Sequence, residues 1–584
     1  MSGVQNRLRL LTLFILLAGF VLISKLYFLQ IISGDDFQLR AEHQYVAGVN
    51  FFDRGSIFFS TKEGSLVPAA NIKTGFVLSV NPNQIIEYQT DLESVYSQLN
   101  VITPINKEMF LSRAEKVGDP YEEIAKHLDQ ATTEKIRLLE IPGVSVSREK
   151  WRAYPGETMA AHAVGLIGYS GDELAGRYGL ERSYEKYLKR EGDDVFVNFF
   201  AEIFSNIKSV TAGGNLEGDI VTTIEPSVQA FLESELDKVT SYYASDFTGG
   251  IVIDPSTGEI VAMALAPTFD PNYPQKVEDS GVFSNPLIED RYEMGSIIKA
   301  LTYSIGLETK SITPKTTYND PGCITLNTET FCNYDGKSHG TSVTMQSALN
   351  QSLNTGAVFV ESKIGNGKFS DYMLKFGLDE KTGIDLPNEG NSLVANLKTN
   401  RDLELAQASF GQGIALTPIA TVRALSTLAN GGHLITPHLV KEIKYKIGGS
   451  KTVSYPAEKD RARVISTQST EEIARMLTEV VDRSLRAGQM RLENYSVAAK
   501  TGTAQIANPN GGYYDDRFLH SFFGYFPSYD PEFLVFFFTY YPKEVQFASE
   551  TLTDSFFNMT KFLINYYNIP PDREVAPPAP LSKI

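Results

Sequence analysis

Two pairs of strongly apolar segments, placed far apart in the chain, most constrain how this sequence can fold. The first pair, Gly249 to Asp254 and Glu259 to Leu265, is joined by Pro255-Ser256-Thr257-Gly258, in which proline and glycine both favour a turn. The second pair, Phe522 to Phe526 and Phe533 to Tyr541, is too apolar to face solvent on either side. Strands at both ends of a region with helices between them predict an α+β domain with one antiparallel sheet covered by helices.

The limits of this domain follow from its flanking segments. A strand predicted from Gly218 to Glu225 opens it, and a helix from about Glu550 to Ile569 closes it. We therefore place the domain at residues 218–569. The preceding residues 33–217 alternate helical and strand patterns and are predicted to form an elongated α+β pedestal domain. Residues 570–584 contain five prolines, which indicates a flexible tail.

The N-terminal region carries a targeting signal. Residues 10–32 are 23 residues long with a single charged side chain, Lys25, and a helix of that length spans a bilayer. Arg7 and Arg9 precede it, which favours a cytoplasmic N-terminus at residues 1–9 and export of the rest. A cleaved signal peptide is the alternative, but no small-x-small cleavage site follows the apolar run. The sequence predicts a single-pass transmembrane anchor with the bulk of the chain outside the cytoplasm.

Composition excludes several classes of function. The chain has 42% apolar and 21% charged residues, which is ordinary for a globular protein. Its formal net charge of -17 argues against nucleic acid as a partner, because phosphate binding needs clustered Lys and Arg. The seven histidines and two cysteines show no zinc-ligand spacing. We expect neither a metal nor another cofactor.

Both cysteines lie within one short segment. Between Cys323 and Cys332 the sequence alternates apolar and polar residues around a possible turn at Asn327-Thr328. A hairpin here would bring the sulfurs together, and an exported protein would keep them oxidised. Two unpaired thiols remain the alternative, because only geometry decides between them.

The clearest chemical motif is Tyr292-Glu293-Met294-Gly295-Ser296-Ile297-Ile298-Lys299. Residues three apart share a helical face, so the Lys299 amine can reach the Ser296 hydroxyl. A serine hydroxyl is a weak nucleophile, and a lysine can take its proton only if burial and neighbouring groups lower the lysine pKa. The spacing predicts a Ser-Lys acylation centre.

Context separates this motif from its other copies. Three more Ser-x-x-Lys matches begin among charged residues, at Ser147, Ser183 and Ser205. Only Ser296 follows a glycine and opens an apolar helical run. We interpret the other copies as surface positions, since a motif without its structural context is only a hypothesis.

Two later segments supply the remaining groups that such a centre needs. Ser352-Leu353-Asn354 offers a hydroxyl and an amide at a predicted loop or helix end, although Ser79-Val80-Asn81 has the same pattern. Lys500-Thr501-Gly502 is flanked by small residues in an extended stretch, where glycine permits close backbone approach. Its ammonium and hydroxyl groups suit a substrate carboxylate. The other two Lys-Thr-Gly copies, at Lys73 and Lys381, are interpreted as solvated or structural.

In this order, the three motifs resemble the signature of the penicillin-binding and serine β-lactamase superfamily. Over nearly its whole length the chain is similar to class B penicillin-binding proteins. The further shared phrases are Arg54-Gly55-x-Ile57, Gly179-Leu180-Glu181, Lys381-Thr382-Gly383-Ile384-Asp385-Leu386-Pro387, Phe410-Gly411-Gln412-Gly413-Ile414 and Lys500-Thr501-Gly502-Thr503-Ala504-Gln505. The resemblance implies a peptidoglycan D,D-transpeptidase anchored in a bacterial inner membrane, and the stretch from Gly511 to Phe522 is closer to the division type than to the elongation type.

The resemblance also implies roles for the reacting groups. Ser296 would attack the D-Ala-D-Ala carbonyl of a stem peptide, release the last D-Ala and pass the acyl group to an amine of a neighbouring stem. Lys299 would be the general base for acylation. Ser352 and Lys500 would relay the proton to the leaving amine.

The same resemblance implies which groups bind the substrate. Asn354 would hold the peptide amide, and Thr501 and Thr503 would bind the terminal carboxylate along the strand that contains Gly502. The backbone N–H groups of Ser296 and Thr503 would form the oxyanion hole, worth typically about 3 kcal/mol per donor in acyl transfer. β-Lactams would acylate Ser296 as mimics of the substrate.

Two other functions remain as alternatives. A β-lactam hydrolase or sensor would share the acylation apparatus but would have little use for a long exported segment ahead of the domain. A non-catalytic scaffold of the wall machinery would not need every reacting side chain. No glycosyltransferase domain precedes the transpeptidase region, so the expected partners include a SEDS-type glycosyltransferase and other divisome or elongasome proteins.

Overall fold

The computed structural model describes residues 53–171, 173–190, 217–327, 329–446, 449–453, 455 and 462–573. The predicted anchor at residues 10–32 lies outside these ranges, as do residues 574–584 of the predicted tail. Within the described ranges, no helix combines the length and the apolar character needed to cross a bilayer. The chain divides into two compact units, and the predicted domain boundaries stay predictions.

Of the described chain, the first unit contains residue 53 and residues 72–151. The second part of strand Leu66–Val80 lies at the centre of its sheet. Strand Glu122–Leu128 and most of strand Val144–Ala153 both pair with it. An Asn or Asp side chain accepts a backbone N–H at the start of each helix, and such caps satisfy donors that a helix leaves free. These helices are Pro82–Glu87, Leu92–Ile102, Lys107–Ala114 and Gln130–Arg137.

The second unit contains residues 54–71, 152–190 and the described chain from residue 217 onward. One of its sheets joins early and late segments: Ile57–Ser60 pairs in parallel with Gly218–Thr222, which pairs antiparallel with Val440–Tyr445. Ser450–Thr452 and the first part of Leu66–Val80 extend this sheet at its two ends. The described residues of this unit also form two-stranded antiparallel sheets: Ile167–Ser170 with Glu173–Gly176, Thr317–Asp320 with Gly340–Thr344, and Cys323–Leu326 with Glu329–Cys332.

The central sheet of the second unit has five antiparallel strands. They are β1 (Phe247–Ile253), β2 (Ile260–Ala266), β3 (Ala498–Ala507), β4 (Tyr513–Phe526) and β5 (Phe533–Tyr540), in the spatial order β3-β4-β5-β1-β2. The predicted antiparallel sheet with strands from both ends of the region is confirmed. The prediction started β4 nine residues too late, because residues 513–517 are partly or fully exposed and include three charged side chains, whereas regular pairing with β3 begins only at Phe518.

Both faces of this sheet are covered, which explains the continuous apolar runs. Neighbouring strand residues point to opposite faces, and accordingly Phe522 belongs to one buried cluster and Phe523 to another. Helices Pro226–Tyr242 and Thr553–Tyr567 pack on the Phe522 face. The opposite face is covered by the 3₁₀ turn Gly295–Ile298 and by the helix that follows it.

The described residues of this unit contain further α-helices. They are Ala161–Val164, Gly179–Ser183, Glu185–Leu188, Lys299–Glu308, Met345–Asn350, Asn354–Ile364, Asn366–Lys375, Asp402–Ser409, Pro418–Ser426, Thr467–Glu479 and Ala548–Thr551.

Candidate active site

Ser296 and Lys299 lie on one side of a tight turn. The 3₁₀ turn Gly295–Ile298 runs directly into the α-helix Lys299–Glu308. In a 3₁₀ turn, residues three apart are stacked above one another, so the two side chains share a side. Ser296 is partly exposed, whereas Lys299 is completely buried.

Glycine allows the nucleophile turn to pack directly on the edge strand β3. A Cβ atom on Gly502 would lie 2.6 Å from the carbonyl oxygen of Met294. Gly295 has a φ of +62°, and a Cβ there would lie 2.7 Å from the carbonyl oxygen of Thr503. Any other residue would push the strand away from the turn. The two glycines therefore set the spacing between Ser296 and the strand that contains Lys500.

The Lys299 amine is held by the loop that contains Ser352. Its Nζ donates to the Ser352 carbonyl oxygen at 2.5 Å and to Asn354 Oδ1 at 2.7 Å, and it lies 3.4 Å from Ser352 Oγ. Burial, and secondarily the nearby Lys500 ammonium, hold the pKa of Lys299 well below its ordinary value. A lowered pKa favours the neutral amine, which is the form that can accept a proton.

Ser352 lies between the two lysines. It occupies a left-handed conformation, with φ +56°, in the loop between helices Met345–Asn350 and Asn354–Ile364. Lys500 Nζ donates to Ser352 Oγ at 2.9 Å and to the Thr501 carbonyl oxygen at 2.9 Å. Burial lowers the pKa of Lys500 to about 7. The Ser352 hydroxyl thus connects two amines whose pKa values are both lowered by burial.

Asn354 joins the lysine to the cysteine hairpin. Its Nδ2 donates to the Cys332 carbonyl oxygen at 2.8 Å, while its Oδ1 accepts from Lys299. Cys323 and Cys332 face each other across the hairpin and form a disulfide. Asn327, at the predicted turn, has a φ of +53°.

A cleft of about 780 Å³ opens above these groups. The sequence-predicted residues that line it are Ser296, Ser352, Asn354, Lys500, Thr501 and Thr503. The side chain of Lys299 is fully buried behind the residues that line the cleft, and Gly502 faces the nucleophile turn. The Thr503 hydroxyl accepts the Ala548 N–H at 3.1 Å, which fixes the start of the neighbouring helix. The structure thus brings together every predicted catalytic and substrate-binding residue.

Other residues line the same cleft but were not predicted to be functional. These are Tyr334, Gln412, Arg486, Asp515 and Phe547, among others. The Tyr334 and Phe547 rings meet edge to face, with their centroids 6.2 Å apart. Gln412 lies in the phrase Phe410-Gly411-Gln412-Gly413-Ile414, which gave a sequence signal, whereas nothing in the sequence marks the two aromatic residues.

Comparisons with known proteins agree with this geometry. The profile described as "Penicillin binding protein transpeptidase domain" matches residues 248–558, which is more than half of the chain. The profile described as "Penicillin-binding Protein dimerisation domain" matches residues 53–198.

Individual relatives cover most of the chain. The chain is 28% identical to stage V sporulation protein D of Bacillus subtilis, over 90% of this chain and 80% of the relative. It is 26% identical to a peptidoglycan D,D-transpeptidase FtsI homolog of Mesostigma viride, over 87% of this chain and 86% of the relative. Penicillin-binding protein 3 of Mycobacterium tuberculosis, solved with aztreonam, is similar with a TM-score of 0.62 and 25% identity over 74% of this chain and 94% of that one. Because a dimerisation domain precedes a transpeptidase domain, this chain belongs to the class B penicillin-binding proteins.

Proposed function

We propose that this protein is a peptidoglycan D,D-transpeptidase that works through an acyl-enzyme on Ser296. The observation that carries the proposal is the buried Lys299 amine, which shares a turn with Ser296 and is bonded to Ser352 and Asn354. A buried amine with a lowered pKa is the kind of base that a serine nucleophile needs. The names of the relatives support the same reaction on peptidoglycan.

The proposed reaction has two acyl-transfer steps. Neutral Lys299 takes the proton of the Ser296 hydroxyl, and the oxygen attacks the carbonyl between the two terminal D-alanines. The C–N bond breaks, and the leaving D-alanine amine receives its proton through Ser352 from Lys500. An amine of a neighbouring stem peptide then attacks the ester and passes its proton through Ser352 to Lys500. The ester C–O bond breaks and Lys299 returns its proton to the Ser296 oxygen, which forms the cross-link and restores both lysines.

Binding groups lie around this centre. The Asn354 amide has one N–H on the Cys332 carbonyl and a second N–H available for the peptide carbonyl of the substrate. Thr501 and Thr503 line the cleft beside Lys500 and suit the terminal carboxylate. The backbone N–H groups of Ser296 and Thr503 are proposed as the oxyanion hole, where each donor typically contributes about 3 kcal/mol.

The mass of the protein after incubation with benzylpenicillin tests the proposal. We expect a stable adduct of one drug mass on the exported portion, and none on Ser296→Ala, because the hydroxyl oxygen is the acylated atom. Rapid loss of the adduct with drug turnover would instead indicate a β-lactam hydrolase. The absence of any adduct on the wild-type protein would indicate a non-catalytic scaffold.

Acylation by benzylpenicillin should also depend on the charge of Lys500. Burial lowers the Lys500 pKa to about 7, so the ammonium is present below that pH and is lost above it. The second-order rate constant should therefore fall as the pH rises through about 7, because the drug carboxylate loses its cationic partner. Rates between pH 5 and 9 measure this dependence. The Lys500→Arg variant keeps its positive charge over this whole pH range. If its rate constant fell with pH as the wild-type rate constant does, Lys500 would not be the cause of the decline.

The cellular setting is a further part of the proposal. The apolar segment at residues 10–32, with Arg7 and Arg9 before it, supports a single-pass anchor in the bacterial inner membrane with an exported enzyme. A transpeptidase of this kind needs glycan strands made by another protein, and we propose a SEDS-type glycosyltransferase. The stretch from Gly511 to Phe522 supports a role in division.

A further inference from the structure

The hairpin closed by the disulfide is attached to the catalytic loop at two successive residues. The Cys332 carbonyl oxygen accepts the Asn354 side-chain N–H at 2.8 Å. The next residue, Asn333, uses its Oδ1 to accept the Thr355 backbone N–H at 3.2 Å. The last residue of the hairpin and the residue that follows it therefore hold two consecutive residues at the start of helix Asn354–Ile364.

The buried carboxylate of Asp320 holds this attachment in place. Asp320 is 1% exposed, and its two oxygens accept the Asn333 amide N–H at 3.1 Å each. Its Oδ1 also accepts the Thr355 hydroxyl at 2.7 Å and the Gly322 N–H at 3.0 Å. Because Gly322 directly precedes Cys323, the same carboxylate holds both sides of the hairpin base.

The two hydrogen bonds of Asn354 leave only one orientation for its amide. Oδ1 faces the Lys299 amine, and Nδ2 faces the Cys332 carbonyl. A flipped amide would place its NH₂ group against the amine and its oxygen against another oxygen. The Cys332 carbonyl therefore determines where the second N–H of Asn354 points.

We propose that the disulfide-closed hairpin Cys323–Cys332 is a positioning element that aims the Asn354 amide at the substrate. Each strand of the hairpin has only four residues, and two strands of that length are not stable by themselves. The disulfide joins the strands at the residue whose carbonyl holds Asn354. This inference rests on the proposed function, because Asn354 must contact the substrate amide for its aim to matter.

Acylation of the Cys323→Ser/Cys332→Ser variant by two β-lactams tests this proposal. Benzylpenicillin has a side-chain amide that Asn354 can bind, and 6-aminopenicillanic acid has none. Misplacing a binding group by about 1 Å costs about 100-fold. We therefore expect the variant to lose about 10- to 100-fold in rate with benzylpenicillin, and to lose little with 6-aminopenicillanic acid.

Thr330→Ala is the matched control, since it removes the exposed hydroxyl contact between Thr330 and Thr325 in the same hairpin and leaves the disulfide and Asn354 in place. This control should acylate like the wild-type protein with both compounds. Equal slowing of the two compounds in the cysteine variant would indicate a general loss of structure and would overturn the proposal, as would wild-type rates with both. If the wild-type protein forms no adduct with either compound, the proposed function itself fails and this inference falls with it.

Discussion

Replacing Lys299 with methionine is expected to slow acylation of Ser296 by about 100- to 10,000-fold, the usual contribution of a general base. Methionine has no proton acceptor of comparable strength, so the Ser296 hydroxyl would keep its proton during attack. The side chain is fully buried, and methionine occupies a similar volume without a charge, so we expect the variant to fold. Rates of benzylpenicillin acylation measure the effect, and circular dichroism checks the fold.

A second lysine provides the control for this substitution. Lys561 is exposed on helix Thr553–Tyr567, on the side of the central sheet opposite to the nucleophile turn. Lys561→Met should acylate at the wild-type rate. A folded Lys299→Met protein that also reacted at the wild-type rate would show that another group takes the proton, and Lys500 would then be the first residue to substitute.

The sequence was most informative where a pattern has one physical cause. The apolar strands predicted the central sheet, because a strand that is buried on both faces needs continuous apolar residues. Ser296 and Lys299 were predicted as neighbours because their position on one side of a turn depends only on local spacing. Ser352 and Lys500 were chosen from their motifs, and their roles came from family resemblance; the structure places the Lys500 amine 2.9 Å from the Ser352 hydroxyl.

Contacts between distant segments were beyond the reach of sequence patterns. The start of β4 was missed because Asp515, Asp516 and Arg517 have little strand preference of their own, and because the pairing with β3 is irregular between Tyr513 and Phe518. The contact between Asn354 and Cys332 joins a loop to a hairpin 22 residues away, and no periodicity encodes it. Tyr334 and Phe547 were missed for the same reason.

A buried charge cluster in the second unit gives the largest expected effect on stability. Glu181 is fully buried and bonds Arg54 Nε at 2.6 Å and Arg152 Nε at 2.7 Å. Glu181→Gln would leave two buried guanidinium groups facing a neutral amide, although Arg54 keeps its contact with Glu185 at 2.6 Å. Breaking a buried ion pair in this way typically costs about 3–5 kcal/mol. We expect that loss in the free energy of unfolding, measured by urea denaturation.

A glutamate-to-glutamine substitution in an exposed ion pair is the control. It removes the same charge from a position that is not buried, and so separates the effect of burial from the effect of charge loss. Glu472 bonds Arg475 at 2.9 Å on helix Thr467–Glu479, and both side chains are more than one third exposed. Glu472→Gln should cost at most about 1 kcal/mol, since water already solvates both groups. Equal losses from the two variants would mean that burial contributes nothing to the cost. A loss confined to Glu181→Gln would show that the buried cluster of Glu181, Arg54 and Arg152 holds the early segment of the chain in the second unit. The cluster contains one residue of that segment, Arg54, and Arg152 donates to the carbonyl of the next, Gly55.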